Sequence, residues 1–247
     1  NEGMLVDSFQ RTMQSLRIAI TDRCNLRCVY CMPEQPRWMA RKELLTFEEL
    51  TRLARVSISL GIEKIRLTGG EPTLRKGLPD FIRQLYLLEG LRDLSLTTNG
   101  ILLDQLASPL REAGLRRINV SLDTLQENRF KEVTRREAFR RTWKGLEVAE
   151  LAGFSPLKIN VVVMKGYNED EIADFAKLIR EKSWQIRFIE FMPLDGEGNW
   201  TRGKVIPASE ILRTISAIAP LEKVPGTPPS DPARRNRFKD GSGEFGI

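Results

Sequence analysis

Short apolar runs of β type alternate along the chain with longer segments of helical periodicity. Six runs predict strands, at 16–20, 64–68, 93–98, 117–123, 157–164 and 185–192. The other segments predict helices, at 46–60, 78–88, 102–113, 126–152 in two pieces, 168–182 and 208–218. Strands separated by helices run parallel, with right-handed crossovers. The pattern therefore predicts an α/β fold of six strand–helix units, as a doubly wound sheet or a complete or partial barrel.

The two faces of the predicted strands differ in polarity. One is apolar, as Ile65 and Leu67 illustrate, and suits an outer layer of helices. The other carries the polar residues Arg17, Arg66, Ser95, Thr97, Asn119, Ser121, Asp123, Lys158 and Asn160. Such groups cannot fill a closed packed core, so we expect a cavity that holds a polar ligand. A sheet with one solvated face is the alternative, but that pattern is typical of antiparallel sheets.

The composition is that of an ordinary globular protein. Its 247 residues include 39 Lys and Arg against 33 Asp and Glu, a net charge of +6, and 41% are hydrophobic. No stretch approaches the roughly 18 to 20 apolar residues of a membrane span, and the first residues lack the layout of a signal peptide. We therefore expect a cytoplasmic protein, whose positive charge permits anionic partners.

The composition changes after Leu221, where Pro and Gly become frequent. Such a stretch is typical of a loop or linker. The sequence thus predicts one domain over 1–221, followed over 222–247 by a linker and the start of a C-terminal segment.

The sequence contains no histidine, which excludes imidazole as a catalytic base or metal ligand. The three cysteines, Cys24, Cys28 and Cys31, follow the first predicted strand. Three thiolates on one loop can bind three irons of a 4Fe–4S cluster and leave the fourth open to a substrate or cofactor. A zinc site is the competing interpretation, although structural zinc takes four ligands. Three merely structural cysteines are a further alternative.

The cysteine spacing, with an aromatic residue before the last cysteine, resembles the radical S-adenosylmethionine (radical SAM) superfamily. The segment 69–72, Gly-Gly-Glu-Pro, resembles the superfamily's segment whose backbone meets the amino group of the methionine moiety. Within the superfamily, the chain resembles the GTP 3′,8-cyclases of molybdenum cofactor biosynthesis. The segments that carry this resemblance are Leu-Arg-Ile-Ala-Ile-Thr-Asp-Arg-Cys at 16–24, Cys-Met-Pro-Glu at 31–34, Ile-Arg-Leu-Thr-Gly-Gly-Glu-Pro at 65–72, Thr-Thr-Asn-Gly at 97–100, Asn-Val-Ser-Leu-Asp-Thr-Leu at 119–125, Lys-Ile-Asn at 158–160 and Arg-Phe-Ile-Glu-Phe-Met-Pro at 187–193. The resemblance implies an incomplete, six-unit TIM-like barrel with outer helices.

The resemblance also implies roles for individual residues. The cluster would be bound by Cys24, Cys28 and Cys31. The residues that would contact S-adenosylmethionine are Tyr30, Gly69, Gly70, Glu71, Ser121 and Met192. Those that would contact GTP are Arg17, Arg66, Thr97 and Lys158, all on the polar face described above. Guanidinium and ammonium groups suit a triphosphate, although a single Arg or Lys is ordinarily a solvated surface charge.

The implied reaction converts GTP to (8S)-3′,8-cyclo-7,8-dihydroguanosine 5′-triphosphate, the first step of molybdenum cofactor biosynthesis. An electron from the cluster would cleave S-adenosylmethionine to methionine and a 5′-deoxyadenosyl radical. That radical would remove the 3′ hydrogen of the ribose, and the resulting carbon radical would add to C8 of guanine. The implied partners are an electron donor such as flavodoxin or ferredoxin and a downstream cyclic pyranopterin monophosphate synthase. A homodimer stays open, and no membrane or nucleic-acid partner is expected.

The sequence departs from the family in one respect. The family continues into a segment with three more cysteines, which hold a second 4Fe–4S cluster against the guanine. Those cysteines are absent here, and the sequence begins with Asn1 rather than Met, so we expect a truncated sequence. A chain that truly ended at Ile247 would lack this anchor for the purine, which puts the cyclase activity in question.

Two other functions stay open at this point. One is a radical SAM enzyme that acts on a peptide or a different small molecule. The other is a non-catalytic, metal-stapled module that binds nucleic acid. The second is disfavoured, because aromatic residues make up only 7% of the chain and do not alternate with its basic residues.

Overall fold

The computed structural model describes residues 5–182, 184–194, 198, 200–226 and 233–247. The chain forms two compact units. The first consists of residues 1–25, 37–119 and 145–154, and the second of residues 26–36, 120–144 and 155–247. Each unit is thus assembled from segments that are distant in sequence. The domain boundary predicted after Leu221 stays a prediction.

The first unit alternates strands and helices. Its elements are β1 (Ser15–Ala19), α1 (Phe47–Ser59), β2 (Lys64–Thr68), α2 (Leu78–Tyr86), β3 (Asp93–Thr98), α3 (Leu103–Glu112) and the first part of β4 (Arg117–Ser121). The strand order is β1-β2-β3-β4, and the pairs β1–β2 and β2–β3 are parallel. The strands and helices predicted for this unit are confirmed, with bounds that differ by one or two residues.

Helix α1 shows how local chemistry determines these bounds. The Oγ1 atom of Thr46 accepts a hydrogen bond from the Glu49 backbone N–H at 3.2 Å, and the Glu49 carboxylate accepts one from the Thr46 N–H at 2.7 Å. This reciprocal pair satisfies two backbone donors that the first helical turn leaves without partners. The helix stops before Gly61, which has a φ of +96° and so adopts a conformation that favours glycine.

The second unit contains the rest of β4, β5 (Lys158–Val163), α6 (Ile172–Glu181), β6 (Gln185–Glu190), α7 (Ala208–Ser216), β7 (Leu221–Lys223), β8 (Arg235–Phe238) and β9 (Glu244–Gly246), together with α4 (Glu127–Thr134). Helix α5 (Phe139–Leu151) begins in this unit and ends in the first. The strand order is β4-β5-β6-β9-β8-β7. Strand β9 is parallel to β6, and β8 is antiparallel to both β7 and β9. The strands and helices predicted for this unit are confirmed as well.

The C-terminal region is more ordered than the predicted linker. Strands β7, β8 and β9 occupy much of 221–247, while the predicted loop residues 227–232 lie outside the described residues. The side chains of Phe238 and Phe245 are buried, and their rings pack 6.0 Å apart. Linker composition did not reveal these strands because they are only three or four residues long and contain basic side chains. Their stability comes from contacts with β6 and with one another.

The apolar and polar faces are separated as predicted within each unit. Ile65, Leu67 and Leu96 are fully buried in the first unit, whereas Arg17 and Arg66 lie opposite each other on the other face of β1 and β2. The structure also assigns the faces of β6. Asn160 pairs in register with Arg187, and Val161 pairs with Phe188, so Arg187 lies on the polar face of its unit. None of the helices in the described ranges is long and apolar enough to cross a membrane.

Candidate active site

The Gly69–Gly70 pair fits closely against the loop that follows β1. The Gly70 N–H donates to the Thr21 carbonyl at 2.7 Å, and the Glu71 N–H donates to the Arg23 carbonyl at 2.6 Å. A Cβ atom on Gly70 would lie 2.3 Å from the Arg23 carbonyl oxygen, and one on Gly69 would lie 2.3 Å from the Thr21 carbonyl oxygen. Glycine is therefore required here because two backbone segments touch, and the segment held is the one that leads directly into Cys24.

Glu71 fastens the other side of this turn to the end of β3. Its buried Oε1 atom accepts from the Thr73 N–H at 3.0 Å, from the Thr73 hydroxyl and from the Thr98 hydroxyl at 2.7 Å. Its Oε2 atom accepts from the Asn99 N–H at 2.7 Å. Burial raises the pKa of Glu71, and these hydrogen bonds act in the opposite direction. The contact of Glu71 with S-adenosylmethionine stays a prediction, and its carboxylate holds the turn.

Asn99 lies between Glu71 and the first cysteine. Its Oδ1 atom accepts from the Ile101 N–H at 3.1 Å, and its Nδ2 atom donates to Oδ1 of Asn25 at 2.6 Å. The same Nδ2 atom lies 3.9 Å from the Sγ atom of Cys24. The asparagine is buried. It thus connects the end of β3 to the residue expected to bind iron.

Three of the predicted GTP contacts lie in this first unit. Arg17 on β1 and Arg66 on β2 are paired in register, and Arg66 is in turn paired with Ser95 on β3. The Nε atom of Arg66 lies 3.5 Å from the Ser95 hydroxyl. Thr97 lies two residues further along β3 and is half-buried. Two arginines therefore occupy paired positions on adjacent strands, which suits a polyphosphate.

Cys28 and Cys31 belong to the second unit and lie at the two ends of a tight turn. The Cys31 N–H donates to the Cys28 carbonyl at 2.9 Å. The preceding residues are attached to the end of α4, because the Arg27 N–H donates to the Thr134 carbonyl and the Val29 N–H donates to the Val133 carbonyl, each at 2.9 Å. The backbone around these two thiols is thus anchored before any metal binds.

Tyr30, within that turn, forms a hydrogen bond with the carboxylate that follows β4. Its hydroxyl donates to Oδ2 of Asp123 at 2.6 Å, and the Val162 N–H donates to Oδ1 at 2.8 Å. Burial raises the pKa of Asp123 to about 6, while both hydrogen bonds act in the opposite direction. Burial of the hydroxyl, together with the charge of Asp123, raises the pKa of Tyr30 well above its usual value.

Further contacts hold this pair in place. The Nδ2 atom of Asn168 donates to the carbonyl oxygens of Asp123 at 2.6 Å and Val162 at 2.8 Å. Tyr30 also packs against an apolar cluster in the same unit, whose other members are Val133, Val162, Met164, Tyr167, Phe191 and Trp200. The Tyr30 side chain is therefore held both by a hydrogen bond to Asp123 and by packing against the apolar cluster.

The remaining predicted site residues also lie in the second unit. Ser121 ends β4 and is half-buried, Lys158 begins β5 and pairs in register with Gln185, and Met192 is 50% exposed. The predicted site is therefore divided between the units. The first holds Cys24, Gly69, Gly70, Glu71, Arg17, Arg66 and Thr97; the second holds Cys28, Tyr30, Cys31, Ser121, Lys158 and Met192.

Sequence reasoning gave no role to Asn99, Asp123 or Asn168. Asn99 was part of the segment Thr-Thr-Asn-Gly, and Asp123 was placed on the polar face, but neither was given a partner. A signal was available, because an Asn or Asp directly after a buried strand is well placed to bond neighbouring loops.

The thiols fit an iron–sulfur cluster. Within the described residues no disulfide involves the three cysteines; Cys24 and Cys28 are partly exposed, and Cys31 is exposed. Across the described parts of the chain, no three Cys, Asp or Glu side chains are close enough to hold one metal ion. A 4Fe–4S cluster takes each thiolate on a different iron, and three thiols match such a cluster with one iron left open.

Comparisons with known proteins point in the same direction. Residues 18–179 match the family model of the radical SAM superfamily. The chain is 46% identical over 244 residues to the GTP 3′,8-cyclase of Geobacter sulfurreducens, covering 98% of this chain and 74% of that protein. It is 48% identical over 242 residues to the GTP 3′,8-cyclase of Moorella thermoacetica, covering 98% and 75%.

Solved structures share the fold at low sequence identity. SuiB of Streptococcus suis bound to the precursor peptide SuiA matches with a TM-score of 0.66 and 19% identity, over 83% of this chain and 45% of that one. TYW1 with a bound lysine–pyruvate adduct matches with a TM-score of 0.59 and 16% identity, over 85% and 76%. Together with the parallel strands and intervening helices, these matches confirm the predicted fold class.

Proposed function

This chain belongs to the radical SAM superfamily and, within it, to the GTP 3′,8-cyclases, and we propose that it converts GTP to (8S)-3′,8-cyclo-7,8-dihydroguanosine 5′-triphosphate. The observation that carries the proposal is the identity of 46% and 48% to two GTP 3′,8-cyclases over 98% of the chain. The paired Arg17 and Arg66 on adjacent strands support it independently, because they offer a nucleotide triphosphate two charged donors.

A 4Fe–4S cluster and S-adenosylmethionine supply the chemistry when bound, namely a 5′-deoxyadenosyl radical that removes the 3′ hydrogen of the GTP ribose. Cys24, Cys28 and Cys31 would hold the cluster. The Gly69–Gly70 turn holds the loop before Cys24, and Asp123 holds Tyr30 between the other two cysteines. The protein's own part is thus to fix the position of the cysteine loop and to bind both nucleotides beside it.

We assign GTP binding to Arg17, Arg66, Thr97 and Lys158, and S-adenosylmethionine binding to Tyr30, Gly69, Gly70, Ser121 and Met192. Guanidinium groups bind phosphate oxygens through charge-assisted, often bidentate hydrogen bonds. Glu71 acts as a positioning residue, since four donors of the protein occupy its carboxylate. The electron would come from a flavodoxin or ferredoxin, and a cyclic pyranopterin monophosphate synthase would use the product. The sequence has no cysteines for a second cluster beyond the three named, so no step is assigned to one.

The proposal is tested with anaerobic protein reconstituted with iron and sulfide and supplied with dithionite and S-adenosylmethionine. We expect formation of 5′-deoxyadenosine to depend on GTP rather than ATP, with the cyclised nucleotide detected by mass spectrometry. Replacing Arg17 or Arg66 by Gln should raise the KM for GTP about tenfold, equivalent to ~1.4 kcal/mol of binding. Arg92→Gln is the matched control, because the Arg92 side chain is 75% exposed and pairs only loosely with Glu63, at 3.6 Å. Cleavage of S-adenosylmethionine that leaves GTP unaltered would contradict the proposal.

A further inference from the structure

The side-chain amide of Asn99 is held in one orientation. Its Oδ1 atom accepts from the Ile101 N–H at 3.1 Å, and its own backbone N–H donates to Oε2 of Glu71 at 2.7 Å. Because Oδ1 faces a donor, the Nδ2 group must point the other way, towards acceptors. The residue is 6% exposed, so water does not compete for this amide.

Two acceptors stand in front of that Nδ2 group. Oδ1 of Asn25 lies 2.6 Å away, and the Sγ atom of Cys24 lies 3.9 Å away. An amide nitrogen carries two protons, so it can donate to both. A contact to sulfur is longer than one to oxygen because the sulfur atom is larger. The Nδ2 group of Asn99 therefore donates to the Cys24 sulfur as well as to Asn25.

We propose that Asn99 is a positioning residue that donates an N–H···S hydrogen bond to the Cys24 thiolate and thereby makes the cluster easier to reduce. This inference rests on the proposed cluster at Cys24. Hydrogen bonds to the sulfurs of an iron–sulfur cluster stabilise its more negative, reduced state and raise its potential. A bound cluster would supply an electron to S-adenosylmethionine, so the Asn99 amide would act on how readily that cluster is reduced.

The same contacts link the reduction potential of the cluster to the turn at Gly69–Glu71. Glu71 fixes the backbone of Asn99 with Oε2 and the Thr98 hydroxyl with Oε1, and its own N–H is bonded to the Arg23 carbonyl next to Cys24. The turn at Gly69–Glu71 therefore holds both the donor and the acceptor of the N–H···S contact. A change at Glu71 should shift the potential in the same direction as a change at Asn99, but by less.

The test is a potentiometric titration of the reconstituted protein followed by EPR, without GTP. In Asn99→Ala, the iron and sulfide content should match the original protein while the potential becomes more negative. At a fixed potential the ratio of reduced to oxidised cluster should fall about tenfold, which is 59 mV for one electron. Asn119→Ala is the matched control, since Asn119 is also buried but its Nδ2 atom donates to the Leu96 carbonyl, at 3.5 Å, rather than to a cysteine sulfur. In this control, the ratio of reduced to oxidised cluster at the fixed potential should stay within about twofold of that in the original protein. An unchanged potential in a fully loaded Asn99→Ala protein would overturn the inference.

A second measurement covers the case in which Asn99→Ala loses its cluster. Protein labelled with ¹⁵N in the asparagine side chains is reduced and examined by pulsed EPR. We expect a nitrogen coupling to the cluster that persists in Asn25→Ser, which removes the other asparagine side chain beside Cys24. Absence of that coupling overturns the inference while leaving the cyclase proposal intact. GTP turnover is not needed in either measurement, whereas a chain that binds no iron contradicts both proposals.

Discussion

Two buried carboxylates each hold one part of the cysteine motif, and they do so differently. In the first unit, the Glu71 carboxylate accepts hydrogen bonds from two backbone N–H groups and two threonine hydroxyls. It fastens the end of β3 to the glycine turn, whose backbone N–H groups hold the loop before Cys24. In the second unit, Asp123 accepts from the Tyr30 hydroxyl and the Val162 N–H. Each oxygen of Glu71 faces a backbone N–H, which can only donate. One oxygen of Asp123 faces instead the Tyr30 hydroxyl, which can donate or accept. The hydrogen bonds around Glu71 should thus tolerate replacement of the carboxylate by an amide less well than those around Asp123.

The largest expected effect comes from filling the space at Gly70. Gly70→Ala would place a Cβ atom 2.3 Å from the Arg23 carbonyl oxygen, and neither backbone segment can move away without breaking the turn. We expect a loss of about 3 kcal/mol or more in the free energy of unfolding of the cluster-free protein, together with reduced iron uptake. Urea unfolding and iron analysis measure the two effects.

The matched control for this change is Gly166→Ala in the second unit. Gly166 has a φ of +81° and nothing within 4 Å of the added carbon, so only backbone strain of about 1 kcal/mol should appear. Equal losses for the two variants would show that the close approach at Gly70 is unimportant.

The second effect is a pH dependence that the Asp123 network should show. Burial raises the pKa of Asp123 from 3.8 to about 6, so the folded protein holds the proton more tightly than the unfolded chain does. The associated stability is complete below the unfolded pKa and is lost as the pH rises through about 6. The Asp123→Asn variant has no carboxyl group at this position, so its stability does not fall in this way as the pH rises. Its stability relative to the original protein should therefore increase by on the order of 3 kcal/mol between about pH 4 and about pH 7. A difference that does not change with pH, in urea unfolding of cluster-free protein, would contradict the assignment.

The third effect compares amide replacements at the two carboxylates at neutral pH. In Glu71→Gln, Oε1 must stay against its three donors, which turns the new NH₂ group towards the Asn99 N–H. Two donors then face each other, and we expect a loss of about 1–3 kcal/mol in unfolding free energy. In Asp123→Asn, the oxygen can stay against the Val162 N–H while the Tyr30 hydroxyl turns to accept from the amide. We therefore expect Glu71→Gln to lose more unfolding free energy than Asp123→Asn. The reverse order would contradict the distinction between the two hydrogen-bond networks.

The smallest effect is expected from Tyr30→Phe. It removes one donor from Asp123 but keeps the ring within the apolar cluster, so about 1 kcal/mol should be lost. Tyr167→Phe is the matched control, since Tyr167 packs against the same cluster and its hydroxyl has no hydrogen-bond partner in the described part of the chain. Similar losses from both variants, measured by urea unfolding, would show that the contact with Asp123 adds nothing to stability.

Much of the fold could be predicted from the sequence because its elements have strong local signals. Strand β2 is an alternating Lys-Ile-Arg-Leu-Thr run, and α1 begins with a complete capping box at Thr46 and Glu49. Strands β8 and β9 carry no such signal, since each is too short for its own pattern to show and depends on its neighbours. The elements with a strong local pattern were therefore predicted, and those without one, such as β8 and β9, were missed.

The candidate site was predicted only as far as its motif residues. The cysteines and the Gly-Gly-Glu-Pro segment are recognisable in sequence, but the contact from Glu71 to Asn99 joins residues 28 positions apart, and the contact from Tyr30 to Asp123 joins residues 93 apart. Such pairs arise from the order in which parallel strands lie side by side, and no local pattern encodes them. The sequence consequently did not indicate that the Glu71 carboxylate is occupied by the protein.

The central claim is that this chain directs radical chemistry to the ribose of GTP. The most direct measurement uses GTP deuterated at the 3′ carbon, incubated anaerobically with the reconstituted protein, a reductant and S-adenosylmethionine. We predict that mass spectrometry will find one deuterium in the 5′-deoxyadenosine that is released. Unlabelled 5′-deoxyadenosine, formed while the deuterated GTP remains intact, would contradict the account.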